Sequence, residues 1–152
     1  MIDAFIKKFT DVKIPYFKID DKYYLASKEL LALAKKINLD YFTIGKYLGE
    51  ENKGKFMPSL ALLGVLSEIS DNKIIVKDIG EMDFLYGKNL RSRHIKNCEG
   101  EQKIGFLKLV INERGDCLGY AKIVKVLDDK GVVLKNKQDM GDYLRREMSQ
   151  KV

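Results

Sequence analysis

One histidine, His94, and two cysteines, Cys98 and Cys117, are all that 152 residues offer for metal, thiol or imidazole chemistry. The cysteines form no CxxC pair, and three scattered groups make a poor ligand set for zinc, so no metal is expected. A disulfide between them is disfavoured in a reducing cytosol, which leaves two free thiols. His94 is flanked by Arg93 and Lys96, and nothing ties it to Ser92 or Cys98 as the base of an activated nucleophile. It reads as a surface or ligand-facing imidazole. Phosphate loops of the GxxxxGKS, GxxxxGKT or GxGxxG kind are absent. The acidic pairs Glu50-Glu51 and Asp128-Asp129 are adjacent rather than opposed across a cleft. The chain is therefore expected to have no catalytic residues, to need no cofactor and not to be an enzyme.

Long apolar runs are also lacking. The longest charge-free stretch, Phe56 to Ser67, falls well short of the roughly 20 residues of a membrane-spanning helix. The start, MIDAFIKKFT, carries Asp3 and lacks the basic, apolar and small-residue regions of a secretory signal. A soluble cytoplasmic protein without a membrane partner is expected. With 45% hydrophobic and 33% charged residues, the chain has the material for a packed core.

What the sequence does have is positive charge, unevenly placed. The net charge is +6; up to Met82 there are 13 basic and 12 acidic residues, and beyond it 15 basic and 10 acidic. All five arginines, Arg91, Arg93, Arg114, Arg145 and Arg146, lie in the second part. A guanidinium donates two hydrogen bonds in a fixed fork to phosphate oxygens, which an ammonium does not. The second part is thus the one suited to a polyanion.

Asp3 to Phe9 has the spacing of a short amphipathic helix, with Phe5, Ile6 and Phe9 on one side and Lys7 and Lys8 toward water. Tyr16 to Ile19 and Tyr23 to Leu25 read as a hairpin around Asp20-Asp21-Lys22. Ser27 caps a helix running to about Ile37. Tyr41 to Leu48 is β-prone and ends at Gly49, before a polar EENKGK stretch that is either a loop or a hairpin tip. Pro58-Ser59 starts a helix over Leu60 to Ser67 or a little beyond, expected to be the most buried element here, with Gly64 permitting close packing. Ile74, Ile75 and Val76 form a strand that completes an α/β unit. After Gly80, short β runs near Ile95, Phe106 to Ile111, Cys117 to Val126 and Val132 to Leu134 suggest a small barrel. A last helix over Asp139 to about Met148, capped by Asp139, sets Met140, Leu144 and Met148 in one stripe; Leu144 anchors it while Arg145 and Arg146 face solvent.

FLYGKNL (84–90), CLGYA (117–121) and DMGDYLRRE (139–147) resemble the PUA domain, named after pseudouridine synthases and archaeosine transglycosylases. Together with YYLAS (23–27) before a helix and NKIIVK ahead of FLYG, they resemble the Nip-seven family of ribosome-biogenesis factors over nearly the whole chain, in an archaeal-type form with a short start. The resemblance implies an α+β protein: an N-terminal α/β pre-PUA module with an antiparallel sheet and packed helices over 1–80, then a PUA-type β-barrel with a terminal helix over 81–152. It implies a non-catalytic factor assisting large-subunit biogenesis and rRNA maturation, with RNA held by the PUA domain and protein partners by the first module. An RNA-binding accessory subunit of an RNA-modifying or RNA-processing enzyme complex is the alternative.

The family's RNA surface includes basic residues of the last helix, which fall here on Arg145 and Arg146. Where archaeal relatives carry further cations this chain has Ser149 and Gln150, so its basic surface is weaker or completed elsewhere. Arg91, Arg93, Lys88 and Lys135 join the expected RNA-binding set, and Tyr120 and Tyr143 either stack a base or pack in the core. The expected partners are RNA, ribosomal by the resemblance and with uridine-rich strands a candidate target, and assembly or RNA-processing proteins. No DNA partner is expected.

Overall fold

The computed structural model describes residues 1–26 and 45–150, with side chains up to 146. The helix expected from Ser27, and the run from Tyr41 through residue 44, lie outside the described residues.

Aromatic alternation builds the first hairpin. Strands β1 (Tyr16–Ile19) and β2 (Lys22–Leu25) pair antiparallel, with Asp20 taking φ +53° at the turn. Strands β3 (Tyr47–Asn52) and β4 (Lys55–Pro58) form a second hairpin whose turn, Lys53-Gly54, has both residues at positive φ, as a tight hairpin with right-handed twist requires. EENKGK is therefore a hairpin tip. Gly49 does not end a strand: β3 runs through it at φ +143°, where a Cβ would lie 2.4 Å from the Met57 carbonyl oxygen. The four strands form one sheet in the order β1-β2-β3-β4.

Helix α1 (Ile2–Ile6) and the turn after it bury Phe5, Ile6 and Phe9 and leave Lys7 and Lys8 exposed, as the spacing predicts. Helix α2 (Leu60–Ile69) begins at Ser59, whose Oγ accepts the Leu62 N–H at 3.1 Å and donates to the Tyr47 carbonyl at 2.7 Å. Its burial is one-sided: Leu62, Leu63 and Leu66 are sealed while Leu60 and Ile69 reach solvent. Gly64 faces open space and serves no close contact.

Strand β5 (Lys73–Val76) corrects the expected α/β unit. It pairs parallel with β8 (Leu107–Ile111) and antiparallel with β7 (Ile95–Cys98), so it belongs to the second sheet. That sheet has the order β6-β10-β9-β8-β5-β7 and includes β6 (Leu90–Arg91), β9 (Cys117–Ile123) and β10 (Val132–Asp139). Its two outermost strands, β6 and β7, are separated in sequence only by the 3-10 turn Ser92–His94, so the sheet curls round until its edges nearly meet. This is the expected barrel, plugged at one end by helix α3 (Asp78–Leu85), which the sequence pattern did not announce, and followed by helix α4 (Met140–Gln150).

Two apolar cores result. Ile74, Val76, Phe84, Ala121, Ile123 and Leu134 fill the barrel. The other core lies between the first sheet, α1 and α2, and it takes in Leu109 and Ile111 from the outer face of β8. Asn72 ties the two layers, its Nδ2 donating to the Lys8 carbonyl at 3.0 Å and the Leu107 carbonyl at 2.9 Å.

One charged side chain breaks the apolar pattern. Lys108 is fully buried, and its Nζ donates to the Glu99 carbonyl. Burial pushes its proton affinity below the usual lysine value of 10.5. In alkaline solution the unfolded chain then holds more protons than the folded one, so this group makes stability rise with pH from its folded pKa up to 10.5. The buried tyrosines and thiols, whose proton affinities are raised, act in the opposite sense in the same window, so the test is a difference: urea-melt stability of the parent minus that of a Lys108→Met variant should rise across it, and parallel curves for the two proteins would refute the assignment.

Candidate nucleic-acid interface

The terminal helix is held by a carboxylate. Asp139 ends β10 and is 3% exposed. Its Oδ1 accepts the Asp142 N–H at 2.8 Å, capping α4, and its Oδ2 accepts from Asn136 Nδ2 at 3.2 Å. Arg145 Nη2 closes the group at 3.2 and 3.4 Å from the two oxygens, while Nη1 donates to the Leu85 carbonyl at 3.2 Å. A Cβ at Gly141 would sit 2.2 Å from that same carbonyl, so only glycine lets α4 lie this close to the end of α3.

This changes the roles expected of the last helix. Arg145 does not simply face water: part of its guanidinium neutralises Asp139 and caps α3. Arg146 pairs with Asp142 at 2.8 Å and keeps about half its surface exposed (52%). Leu144 is 60% exposed and anchors nothing. The anchor is Tyr143, whose hydroxyl donates to the Pro58 carbonyl and whose phenol pKa is pushed up by burial. Tyr120 packs too, its ring 5.3 Å from Phe5 and 6.1 Å from Phe9.

The remaining expected cations lie on the barrel surface. Lys88 follows Gly87, which borders Arg145, and its Nζ is 3.4 Å from Asp83. Arg91 lies on β6 opposite Val132, and Arg93 stands in the turn that closes the barrel; both are exposed, and neither meets a carboxylate among the described residues. Lys135 is exposed on β10, directly across from Lys122. Arg145 and Lys88 thus share one end of the barrel, and Arg146 projects from the next position on α4.

His94 contradicts the reading of a surface or RNA-facing imidazole. It is 2% exposed beneath α3. Its Nδ1 accepts the Arg91 N–H at 2.9 Å, which places the proton on Nε2, 3.1 Å from Asp83 Oδ2 but out of line for a hydrogen bond. Burial lowers its proton affinity, and the Asp83 carboxylate only partly opposes this. A neutral, enclosed ring that holds a turn has no access to a substrate. Cys98 and Cys117 are free and half-buried, with burial raising both thiols, that of Cys117 to about 11. Among the described residues no group of three or more His, Cys, Asp or Glu side chains gathers as a metal site.

A second concentration of positive charge went unread in the sequence. A cleft of about 660 Å³ runs between α1, the tip of the β3–β4 hairpin and the outer face of the barrel, and five lysines line it. They come from four separate segments, so no local pattern announces that they converge.

Comparison with known proteins places this geometry. Residues 72–148 match the family model described as the UPF0113 PUA domain. The 60S ribosome subunit biogenesis protein NIP7 of Saccharomyces cerevisiae is 28% identical over 137 residues, spanning 84% of this chain and 75% of that protein. The NIP7 homolog of Dictyostelium discoideum is 27% identical over 143 residues, spanning 88% and 80%. A conserved PUA domain protein from Thermoplasma acidophilum superposes with a TM-score of 0.61 at 16% identity, covering 96% of this chain and 91% of that one, a likeness of fold.

Proposed function

The chain belongs to the UPF0113 PUA domain family, and from that premise we propose that it is a non-catalytic RNA-binding factor in assembly of the large ribosomal subunit and maturation of its RNA. The observation that carries the reading is the extent of the similarity: the match to proteins named as 60S biogenesis factors runs far beyond residues 72–148. The barrel surface supports it with Arg91 and Arg93 open to solvent and Arg146 half open, while the sealed His94 offers no catalytic base. Phosphate contacts by Arg91, Arg93, Lys88, Lys135, Arg145 and Arg146 give affinity without reading sequence. No described helix is long and apolar enough to cross a membrane, which accords with work in the cytoplasm.

The near-neutral first module suits a protein partner, another assembly factor or ribosomal protein. We divide the chain into a pre-PUA unit over 1–80 and a PUA unit over 81–152, the division the resemblance implies; the pairing of β5 favours a boundary one strand earlier.

Crosslinking to RNA in cells tests the role. Reads should concentrate in large-subunit ribosomal RNA; reads spread over transfer or messenger RNA would overturn it. In vitro, Arg91→Ala, Arg93→Ala and Arg146→Ala together should flatten the dependence of log affinity on log salt by about two for a single strand, at about 0.7 per lost phosphate contact. An unchanged slope would remove these residues from the interface. Arg145 is left intact in this variant because Asp139 needs it.

A further inference from the structure

The lysine-lined cleft has no role in the interface built from the arginines. Lys7 and Lys8 reach it from the end of α1, Lys55 from the β3–β4 hairpin tip, Lys122 from β9 and Lys137 from β10. None of their ammonium groups lies within 4.0 Å of a carboxylate among the described residues, and no acidic residue lines the cleft. Elsewhere on the same surface Lys18, Lys88, Lys96 and Lys103 each have an acidic neighbour at 3.1–3.4 Å. Lys122 moreover faces Lys135 directly across the β9–β10 ladder, an arrangement of like charges that opposes folding.

Lys137 reaches the surface through an irregularity in the strand. The β9–β10 register shifts between Asn136 and Gln138, leaving Lys137 unpaired and exposed while Gln138 turns inward. At the cleft wall Phe106 is 41% exposed, with Lys103 Nζ 5.8 Å from its ring centroid, and Phe56 and Tyr120 form an aromatic floor.

We propose that this cleft is a second RNA site, which threads a single strand between the N-terminal module and the barrel, with lysines on its phosphates and a base stacked on Phe106. The inference deepens the RNA-binding reading and rests on it for the choice of RNA among polyanions. Five uncompensated cations exceed the charge of a mononucleotide and match successive phosphates of a chain. An exposed ring favours a single strand, because duplex bases are already stacked on one another. Lysine, a flexible point charge, follows a backbone without imposing the bidentate geometry that the arginine face offers. The strand crosses both units, so it also clamps them together.

Fluorescence anisotropy of a labelled oligouridine with the full chain, titrated over a range of salt, tests the site. Lys7→Ala, Lys8→Ala, Lys122→Ala and Lys137→Ala combined should weaken binding more than tenfold and lower the salt slope by about three. Phe106→Ala should weaken binding about tenfold with the slope unchanged. Circular dichroism should show both variants folded, the lysine variant no less stable than the parent since repulsion is removed. With 5-bromouridine in the strand, photocrosslinking should map to Phe106. Duplex RNA of the same length should be insensitive to Phe106→Ala. If the parent binds RNA and the lysine and Phe106 variants bind equally well, the second site falls while the arginine interface stands. If the parent binds no RNA, both fall. Capture of a polyglutamate peptide without capture of RNA would overturn the proposal in favour of an acidic protein segment.

Discussion

Gly119→Ala is expected to cost about 4 kcal/mol of folding stability, a large share of the roughly 5–15 kcal/mol that a folded protein has to lose. Gly119 sits in β9 at φ +146°, beside the point where the β8–β9 ladder slips register and directly across from Asp139 in the β9–β10 ladder. A Cβ there would lie 2.0 Å from the Gln138 carbonyl oxygen and 2.9 Å from the Asp139 Cα, both main-chain atoms that cannot swing aside. The backbone conformation alone disfavours an L side chain by about 1–3 kcal/mol, and the collision adds to it. Gly115→Ala separates the two effects. Gly115 has φ +93° but nothing within 4 Å of its would-be Cβ, so it should lose only the backbone share, about 1–2 kcal/mol. Urea melts of the pair check this; equal losses would mean that β10 yields to the intrusion.

Asp139→Ala should cost about 3 kcal/mol and release the terminal helix. The variant loses the cap on α4, which is worth about 1 kcal/mol, leaves Arg145 Nη2 without its acceptor, and removes one of the acceptors of Asn136 Nδ2, which keeps the Phe84 carbonyl at 3.0 Å. Half of the Arg145 side chain is exposed, so water recovers part of that loss. Asp139→Asn keeps a capping oxygen and should cost less than half as much. Amide exchange along 140–150 should accelerate in the alanine variant and much less in the asparagine one; protection retained in both would show that Tyr143 alone holds the helix.

Several elements could be read from the chain because their causes are local. The hairpin of Tyr16 to Leu25, the start of α2 at Ser59 and the cap at Asp139 each rest on residues within a few positions of one another. Helix α3 could not be read: it carries no amphipathic spacing, and Gly80 interrupts it. Gly80 is there because a Cβ would come 2.9 Å from His94 Cβ and carbonyl oxygen, a contact fourteen residues away in sequence. Missing α3 also made His94 look exposed, since α3 is what covers it. Leu144 was misjudged for a similar reason, because the packed side of α4 is set by Gly141 against Leu85 and Tyr143 against Pro58. At the interface, arginines close together in sequence stood out. The lysine cleft did not, because its lysines converge only after four distant segments meet.

Leu109 and Ile111 lie in the same core as Ile2, Phe5, Leu48 and Leu62, although they belong to the barrel. A ribosome translating this message therefore cannot hand over the first eighty residues as a finished body, even though chains commonly fold domain by domain from the N-terminus as they emerge. Until residue 111 has left the exit tunnel, α1 and α2 have an open apolar flank. Nascent chains stalled before that point should be the ones that bind chaperones.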